Sequence, residues 1–349
     1  MGATKDAELR RVAATGPPHQ FGIKHLVTTL QKSTLRLVRN RRRELAACER
    51  RLSVAVAGHG RAMSDPAAET LAAGGKRLRP LLVFCSAPRG AENGAGLVAA
   101  AVSVELVHMA TLVHDDLLDG ATLRRGLPTV ASARGPERAI QVGDFLFARA
   151  FSELAQAGEP EAVEVLAEAA LDLSRGELDQ QRAAFDLALT EDAYLARCRR
   201  KTSALFSASC RLGALLGGAG RETQDRVAAF GEHVGVAFQI FDDILDIAGS
   251  PAETGKRRGT DLLGGTITLP VILALRAEPG LAHLVATAGN GTGVEPLCER
   301  LAVHQGIAEA REQALGYVAA ARAAIDAPLD GVHQETLMRI ADGVVDRFA

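Results

Sequence analysis

The sequence predicts an all-α fold built as one large helical domain. Of its 349 residues, 47% are hydrophobic but only 4% are aromatic, and there is no Trp. Ala and Leu, which are abundant, favour helices, whereas strands prefer β-branched and aromatic side chains. Segments of about 15–30 residues with helical periodicity alternate with Gly- and Pro-rich turns, and no change in composition marks a domain boundary.

The N-terminal region predicts a tail followed by a basic helix. Residues 1–20 are interpreted as a flexible tail, and residues 21–349 as the helical domain. Apolar residues recur at helical spacing among many arginines over 21–57, which indicates an exposed amphipathic helix. The arginine run at 39–43 is interpreted as a solvated face of that helix.

The next long apolar stretch, residues 96–113, is interrupted by Glu105 and His108. Its length and these two polar residues predict a buried core helix rather than a membrane span. Only short stretches such as 81–85 are compatible with a strand. The remaining segments predict further helices, separated by glycine-containing turns.

Charge and cysteine usage exclude several functions. The 40 Lys and Arg against 42 Asp and Glu give a net charge of −2, so nucleic-acid binding has no electrostatic basis. Five widely spaced cysteines without a CxxC pair indicate reduced thiols rather than a disulfide framework or a zinc site. With no apolar signal segment at the N-terminus, the expected location is the cytoplasm.

An aspartate run follows the apolar helix. Asp115, Asp116 and Asp119 stand in the pattern Asp-Asp-x-x-Asp. Positions i and i+4 share a helix face, so Asp115 and Asp119 repel each other, and negative charge at a helix C-terminus opposes the macrodipole. A solvated helix end is one interpretation. A divalent cation resolves both conflicts, since Mg²⁺ binds one or two carboxylates, waters and phosphate oxygens.

The same pattern occurs a second time, at Asp242, Asp243 and Asp246, after another apolar helix. Two such runs on different helices are unexpected by chance. If the helices face each other, six carboxylates converge, and only bound cations make that arrangement tolerable. The pair therefore predicts a magnesium site that receives phosphate groups.

A set of basic residues accompanies the two runs. They are Lys76, Arg79, Arg124, Arg125, Lys201 and Lys256. Each alone is typical of a surface charge. Together with two metal-binding runs they indicate clamps on a polyphosphate, because Arg binds phosphate through two parallel hydrogen bonds and Lys acts as a point charge.

On these motifs the chain resembles the trans-isoprenyl diphosphate synthases, the polyprenyl synthetase family. The resemblance runs from about residue 74 to residue 270 and is weaker beyond. The matching motifs are Gly-Lys-Arg-Leu-Arg-Pro at 75–80, residues 105–108, Arg-Arg-Gly-x-Pro-Thr at 124–129, Gly-Asp at 143–144, Gly-Glu-x-x-Gln at 176–180, Lys-Thr at 201–202, and residues 235–243. The resemblance implies one helical bundle around a central catalytic cavity and a homodimer.

The resemblance also implies which aspartates bind metal. Asp115 and Asp119 would ligate two Mg²⁺ ions, and Asp242 a third. The remaining aspartates of the two runs would act through waters and hydrogen bonds: Asp116, Asp243 and Asp246.

The resemblance further implies how the two substrates bind. Isopentenyl diphosphate would be held by four residues: Lys76, Arg79, His108 and Arg125. The allylic diphosphate would meet the metals together with Arg124, Lys201 and Lys256. Gln239, with the carbonyls of Lys201 and Thr202, would face the developing carbocation. A lone His in an apolar helix is more often a core residue, but the position of His108, two turns before Asp115, favours the binding role.

One position departs from the family pattern. Where the family usually has a second lysine after the flexible loop, this chain has Thr266. The loss of one positive charge would weaken the grip on the leaving diphosphate. Arg257 or Arg258 is a candidate for compensation.

The length of the product is expected to depend on the helix before Asp115. Successive turns, about 5.4 Å each, present small or medium side chains, which argues against an early stop and favours products of C20 or longer. The positions are Ser103, Val104, Val107, Ala110 and Thr111. Phe147 and Phe151 are candidates for a deeper floor and are equally compatible with a place in the core.

Two other functions stay open at this point. Class I terpene cyclases also use an aspartate-rich magnesium site, but they lack the basic grip and need an aromatic cavity, which 4% aromatic residues hardly supply. A non-catalytic regulatory subunit of a heteromeric synthase would be expected to lose aspartates, and here all six are present. Only Thr266 favours that second alternative.

Overall fold

The computed structural model describes residues 41–91, 94–249, 258–288, 293–329 and 331–346. The predicted tail at 1–20, most of the predicted helix at 21–57, and the loop residues Lys256 and Arg257 lie outside these ranges. Helices make up most of the described chain, so the predicted all-α class is confirmed.

The described α-helices follow one another with short connections. In chain order they are α1 (Arg42–Val56), α2 (Arg61–Ala72), α3 (Leu78–Ser86), α4 (Gly94–Leu118), α5 (Val130–Arg134), α6 (Pro136–Ala155), α7 (Pro160–Arg182), α8 (Glu191–Cys198), α9 (Ala204–Leu216), α10 (Arg221–Ala248), α11 (Thr260–Leu263), α12 (Leu269–Ala277), α13 (Ala282–Ala288), α14 (Val294–Ala302), α15 (Gln305–Ala324) and α16 (Gln334–Asp346). A π-helical turn (Arg199–Ser203) joins α8 to α9, and a 3₁₀ turn (Pro279–Leu281) precedes α13.

Helix α4 forms the centre of the core, as predicted for the apolar stretch. Fifteen of its 25 residues are buried, and it packs against α1, α3, α6 and α9. The helix is long and apolar enough to cross a membrane, yet 78% of its most apolar window of 18 residues lies inside the protein. Its C-terminal end carries the first aspartate run, which is thereby mounted on the most firmly packed element.

The stretch at 81–85, which was compatible with a strand, belongs to helix α3. Pro80 stands in the first turn of this helix, where the missing N–H has no helical partner to lose. The only strands in the described residues are β1 (Leu123–Arg124) and β2 (Leu127–Pro128), which pair antiparallel. The two loop residues between them, Arg125 and Gly126, both have positive φ, at 53° and 78°, as this tight hairpin turn requires.

Helix α10 carries the second aspartate run and packs against α9 and α15. Two glycines let neighbouring helices approach the π-helical turn closely. A Cβ on Gly176 of α7 would lie 2.5 Å from the backbone nitrogen of Lys201, and one on Gly235 of α10 would lie 2.6 Å from the Cα of Ser203. The π-helical turn is therefore held between α7 and α10, with no room for a larger side chain at either contact.

A smaller group of helices completes the described fold. Helices α11 to α14 enclose a second apolar cluster, which includes Leu262, Leu281 and Leu301. This cluster supports the segment that carries Thr266 and its neighbour Ile267, since Ile267 is one of its buried members.

Candidate active site

The first aspartate run lies at the C-terminal end of α4, beside the β1–β2 hairpin. Asp116 is buried, and Arg124 binds it through both carboxylate oxygens, with Nε at 2.8 Å from Oδ1 and 2.9 Å from Oδ2. A second nitrogen of the same guanidinium, Nη2, lies 2.8 Å from Oδ1. The hairpin places Arg124 for this contact. The middle aspartate of the run thus forms a well-defined ion pair.

Asp115 lies in a partly buried position in a strongly charged environment. Burial raises the pKa of its carboxyl to about 6; Lys201 lowers it, and Glu177 and Asp119 raise it again. Lys201 itself forms an ion pair with Glu177. Burial alone would lower the pKa of Lys201, but the carboxylates of Asp115 and Glu177 raise it above its ordinary value. Three carboxylates, those of Asp115, Asp119 and Glu177, therefore surround Lys201. A bound divalent ion would reduce the repulsion among them.

The second aspartate run is organised by neutral donors. The hydroxyl of Tyr194 donates to Asp243 Oδ2 at 2.6 Å, and Nε2 of Gln239 donates to Oδ1 at 2.7 Å. Thr202 in turn donates its hydroxyl to Oε1 of Gln239 at 2.6 Å. Burial raises the pKa of Asp243 to about 7, while the bonds from Tyr194 and Gln239 and the charge of Arg197 lower it. A carboxylate that accepts two hydrogen bonds fixes the orientation of the Gln239 amide.

Asp246, the third member of this run, binds backbone. Its Oδ1 accepts the N–H of Thr260 and its Oδ2 the N–H of Asp261, both at 3.1 Å. Its own carbonyl accepts the N–H of Gly259 at 2.8 Å. Asp246 therefore fastens the start of α11 to the end of α10.

The π-helical turn connects the two runs. Its Lys201 acts on Asp115 and Asp119 of the first run, and its Thr202 is hydrogen-bonded to Gln239, one turn before Asp243. Neighbouring residues of one turn thus interact with both runs, so this short segment links the two. π-helical turns inside α-helices are frequent at functional sites.

A cluster of cations surrounds His108. Burial and the nearby charges of Arg79, Arg125 and Arg124 hold the pKa of His108 well below its usual range, so the imidazole is neutral. Burial lowers the pKa of Arg79 to about 10, and Glu105 partly counteracts that effect. The guanidinium of Arg79 lies 4.7 Å from the ring centre of Phe206, and its Nε is buried with no partner among the described residues. Mutually repelling cations with an unused buried donor indicate an anion-binding site.

Beneath this cluster lies a buried ion network that the sequence did not predict in full. Arg77 donates from Nε to Glu49 at 2.6 Å and from Nη1 to Glu105 at 2.8 Å. Glu105, which interrupts the apolar stretch of α4, thus has a buried partner. Arg77 takes a left-handed conformation, with φ of 50°, at the entry to α3. Arg77 fixes the turn that carries Lys76 and Arg79. Its place inside the basic motif at 75–80 was the sequence feature from which its role could have been predicted.

The positions expected to set product length lie on a dry face of α4. Ser103, Val107 and Ala110 are fully buried, and Thr111 is partly buried. The hydroxyl of Ser103 donates to the carbonyl of Ala99 at 2.8 Å, and that of Thr111 to the carbonyl of His108 at 2.9 Å. Both hydroxyls are satisfied by their own helix, so this face offers mainly apolar surface.

Phe147 and Phe151, one turn apart on α6, are partly buried against the main core. The ring of Phe147 lies 6.0 Å from that of His114, beside the first aspartate run. This contact places Phe147 close to the site and leaves its part in product length a prediction.

The segment that departs from the family pattern is also well defined. The N–H of Thr266 donates to the carbonyl of Asp261 at 2.8 Å. Arg258, one candidate for the missing charge, donates to the carbonyl of Ile247 and forms an ion pair with Glu295, each at 3.0 Å. Its charge is thus used in packing α14 against the end of α10.

The donor set fits a hard cation that keeps much of its shell for other ligands. Nowhere in the described ranges do three His, Cys, Asp or Glu side chains assemble into a group able to hold a metal ion by themselves. Mg²⁺ needs only one or two carboxylates and takes the rest of its octahedron from water and phosphate oxygens. Asp115, with its raised pKa, and the oxygen-only composition of both runs fit that ion.

Known proteins are similar to this chain in sequence and in fold. The sequence matches the family described as polyprenyl synthetase over residues 61–295. It is 43% identical over 243 residues to heptaprenyl diphosphate synthase component 2 of Geobacillus stearothermophilus, covering 70% of this chain and 76% of that protein. It is 34% identical over 282 residues to the geranylgeranyl diphosphate synthase of Methanosarcina mazei, covering 79% and 86%. A polyprenyl synthase of Caulobacter crescentus, crystallised with calcium and isoprenyl diphosphate, superimposes with a TM-score of 0.84 at 33% identity, covering 90% of this chain and 98% of that one.

The all-helical bundle and its paired aspartate runs define an enzyme of the transferase class, a prenyltransferase of isoprenoid synthesis. More particularly, the chain belongs to the polyprenyl synthetase family.

Proposed function

We propose that this protein condenses isopentenyl diphosphate with an allylic diphosphate and releases a linear trans-polyprenyl diphosphate of C20 or longer. The π-helical turn is the observation that carries the proposal. Through Lys201 and Thr202 it joins a charged site for diphosphate to a hydrogen-bonded amide at Gln239. A synthase needs both groups within one cavity, because the leaving anion and the carbocation form together.

Magnesium is the proposed metal, with three ions when diphosphate is bound. Asp115 and Asp119 would hold two ions and Asp242 the third, while Asp116, Asp243 and Asp246 support them through the contacts described above. When bound, the metal supplies electrophilic stabilisation of the departing diphosphate. The pKa of Asp115, which burial raises to about 6, supports this assignment, since a nearby cation would favour its ionised form.

The basic cluster is the proposed site of isopentenyl diphosphate. Arg79 brings a buried Nε without a partner among the described residues, and neutral His108 offers a hydrogen bond without adding to the repulsion. Lys76 and Arg125 complete the grip from the turn before α3 and from the hairpin. The allylic diphosphate would lie on the other side, near Arg124 and Lys201, with Lys256 as a further contact.

Chemistry then depends on positioning and on the exclusion of water. The allylic C–O bond breaks, the double bond of isopentenyl diphosphate attacks the carbocation, and a proton leaves to the departing diphosphate. The amide oxygen of Gln239 and the carbonyls of Lys201 and Thr202 would face the positive charge. The bond from the Gln239 amide to Asp243 fixes the orientation of that amide in advance, which is the form of electrostatic preorganisation that lowers barriers most.

A product of C20 or longer is proposed from the small side chains on α4. Relatives are named for geranylgeranyl, heptaprenyl and nonaprenyl products, so family membership alone leaves the length open. An Ala110→Phe variant should shorten the products, because the ring would fill the dry face one turn below the first run. Chromatography of dephosphorylated products checks this; an unchanged distribution would contradict the role of this face.

A homodimer in the cytoplasm is the proposed state of the protein. Support comes from three exposed apolar side chains on the adjacent helices α6 and α7: Ile140 at 48%, Leu171 at 51% and Leu178 at 50% exposure. A relative named component 2 makes a heteromeric partner the alternative. Light scattering of the purified chain distinguishes a dimer from a monomer that waits for a second component.

The central experiment is a product assay with the purified chain, Mg²⁺, isopentenyl diphosphate and allylic primers of different length. Linear prenyl diphosphates would support the proposal, and cyclised hydrocarbon would indicate a terpene cyclase. If the chain is inert alone, it is a subunit that needs a partner, the reading that Thr266 favours. An exposed control, Asp172→Asn on α7, should behave as the unmodified protein, whereas Asp115→Asn should lose turnover.

A further inference from the structure

One position of the proposed site departs from the family pattern by a positive charge. The position where the family usually has a lysine is Thr266, and its N–H is used in a turn with Asp261. Arg258 is committed to Glu295 and to a backbone carbonyl. Among the residues that the structure describes, another side chain is needed to supply this charge to the leaving diphosphate, if this chain works as the family does.

Arg197 on α8 has the required position. It is only 6% exposed, and its Nη2 donates to the carbonyl of Ile267 at 2.8 Å, one residue after Thr266. Its guanidinium also lies 5.4 Å from the ring centre of Tyr194, the residue that donates to Asp243. Arg197 thus contacts both the segment that lacks the lysine and the network of the second aspartate run.

The contacts of Arg197 do not neutralise the positive charge of its guanidinium. A carbonyl and a ring face are neutral, and Nη1 is buried without a partner in the described part of the chain. To bury a guanidinium against neutral groups is unfavourable unless its charge acts on nearby anions. Arg197 is among the charges that act on the carboxyl of Asp243, and an unused buried donor remains for a further anion or a water.

We propose that Arg197 supplies, from α8, the positive charge that Thr266 does not. It is a positioning residue: it fixes the backbone at Ile267, offsets the negative charge of the second run, and so favours diphosphate on the metals held there. This role rests on the proposed function and names the residue that completes the allylic diphosphate site.

The test separates charge from hydrogen bonding. Arg197→Lys and Arg197→Gln both keep a donor for the carbonyl of Ile267, but only lysine keeps the charge. We expect Arg197→Lys to stay within about threefold of the unmodified protein, and Arg197→Gln to lose roughly 10- to 100-fold in kcat/KM for the allylic diphosphate. The KM for isopentenyl diphosphate, whose cations lie in the other cluster, should change less than about twofold.

The decisive variant is the double substitution. Thr266→Lys should restore most of the loss in the Arg197→Gln background and change the unmodified protein little. A lysine at 266 cannot repair a missing bond between α8 and Ile267, so rescue shows that charge is the shared property. Arg226→Gln is the matched control, because Arg226 donates to the carbonyls of Ala324 and Ala327 far from both runs. That variant should lower Tm without changing KM.

Three outcomes would overturn the inference. They are equal activity of the Lys and Gln variants, no rescue by Thr266→Lys, or a loss in Arg197→Gln that follows Tm alone, as in the control. If Arg197→Gln does not fold, Arg197→Met takes its place, and inhibition by the diphosphate product is measured with and without Thr266→Lys. The proposal expects weaker inhibition in Arg197→Met and its recovery in the double variant, and equal inhibition constants in the two contradict the role. Failure of the proposed function differs from all of these, since the unmodified protein would then form no product.

Discussion

The two aspartate runs share one sequence pattern and have different surroundings. In the first, the middle aspartate, Asp116, is held by the charged Arg124 through two hydrogen bonds from Nε. In the second, the middle aspartate, Asp243, is held by the neutral Tyr194 and Gln239. The third position differs too: Asp119 is exposed at a helix end, whereas Asp246 binds the start of the next helix.

This difference shows that a repeated motif need not repeat its contacts. In the first run, Asp116 pairs with Arg124, and Asp115 and Asp119 lie within reach of the charge of Lys201. The second run commits two carboxylates to hydrogen bonds with Tyr194, Gln239 and the backbone of α11. The division of two magnesium ions at the first run and one at the second is implied by the family resemblance and stays a proposal.

The largest expected effect is the difference in kcat between a variant of the first run, Asp115→Asn, and a variant of the second, Asp246→Asn. Asp115→Asn should lower kcat by roughly 10²- to 10³-fold, because it removes a carboxylate that is proposed to bind metal and would contribute several kcal/mol. Asp246→Asn should lower kcat less than about tenfold, since its carboxylate bonds to backbone. Steady-state kinetics at saturating Mg²⁺ measure both. Equal losses would mean that the third aspartate of the second run is also a primary ligand.

The next effect concerns the orientation of one amide. In Asp243→Asn, the remaining oxygen still accepts from Tyr194, so the new NH₂ faces Gln239. The Gln239 amide must then turn over and present its NH₂ to Thr202 and to the developing positive charge. We expect kcat to fall about 10- to 100-fold with a small change in Tm, because every group keeps a partner. A kcat within twofold of the unmodified protein would show that the amide oxygen has no role.

The sequence could predict that the two runs act together. It could not predict which side chains bind each run. Apolar periodicity before each run placed both on helices, and the like charges required a common cation. The partner of Asp243, however, is Tyr194, 49 residues away, and a contact over that distance depends on helix packing. The π-helical turn likewise follows from close contacts at Gly176 and Gly235, since its own residues have no unusual propensity. Arg197 could not be predicted either, because nothing in the sequence marks it and its burial results from helix packing.

A smaller effect tests the neutral half of the comparison. Tyr194→Phe removes the donor to Asp243 Oδ2 and leaves a buried carboxylate with one bond fewer, which should cost about 1.5–3 kcal/mol of stability. Since Gln239 keeps its orientation, kcat should fall less than in Asp243→Asn. Urea unfolding measures the first and kinetics the second. The other tyrosine, Tyr317, is the control: it accepts from Arg199 at 3.3 Å, and its Phe variant should lose little stability.

The smallest effect concerns stability against pH in the metal-free protein. Burial raises the pKa of Asp115 from 3.8 to about 6, so the folded state binds more protons than the unfolded state within that window. The contribution of this group to stability is therefore full below about pH 4 and is lost as the pH rises through 6. In Asp115→Asn the group is absent. Its Tm in EDTA at pH 7.5 should exceed that of the unmodified protein by about 2 °C, and the difference should vanish near pH 4.

Asp243→Asn gives the matching comparison for the second run. Burial raises the pKa of Asp243 to about 7, so its window extends one pH unit higher than that of Asp115. Magnesium with diphosphate should reverse the order for Asp115→Asn, because only the unmodified protein gains the binding energy at that position. A lower Tm of Asp115→Asn at pH 7.5 without metal would mean that Lys201 outweighs burial, and that the first run is not held at a cost in stability. A higher Tm would show that the metal-free fold holds the carboxylate of Asp115 at a cost in stability, as expected of a site shaped for its ligands.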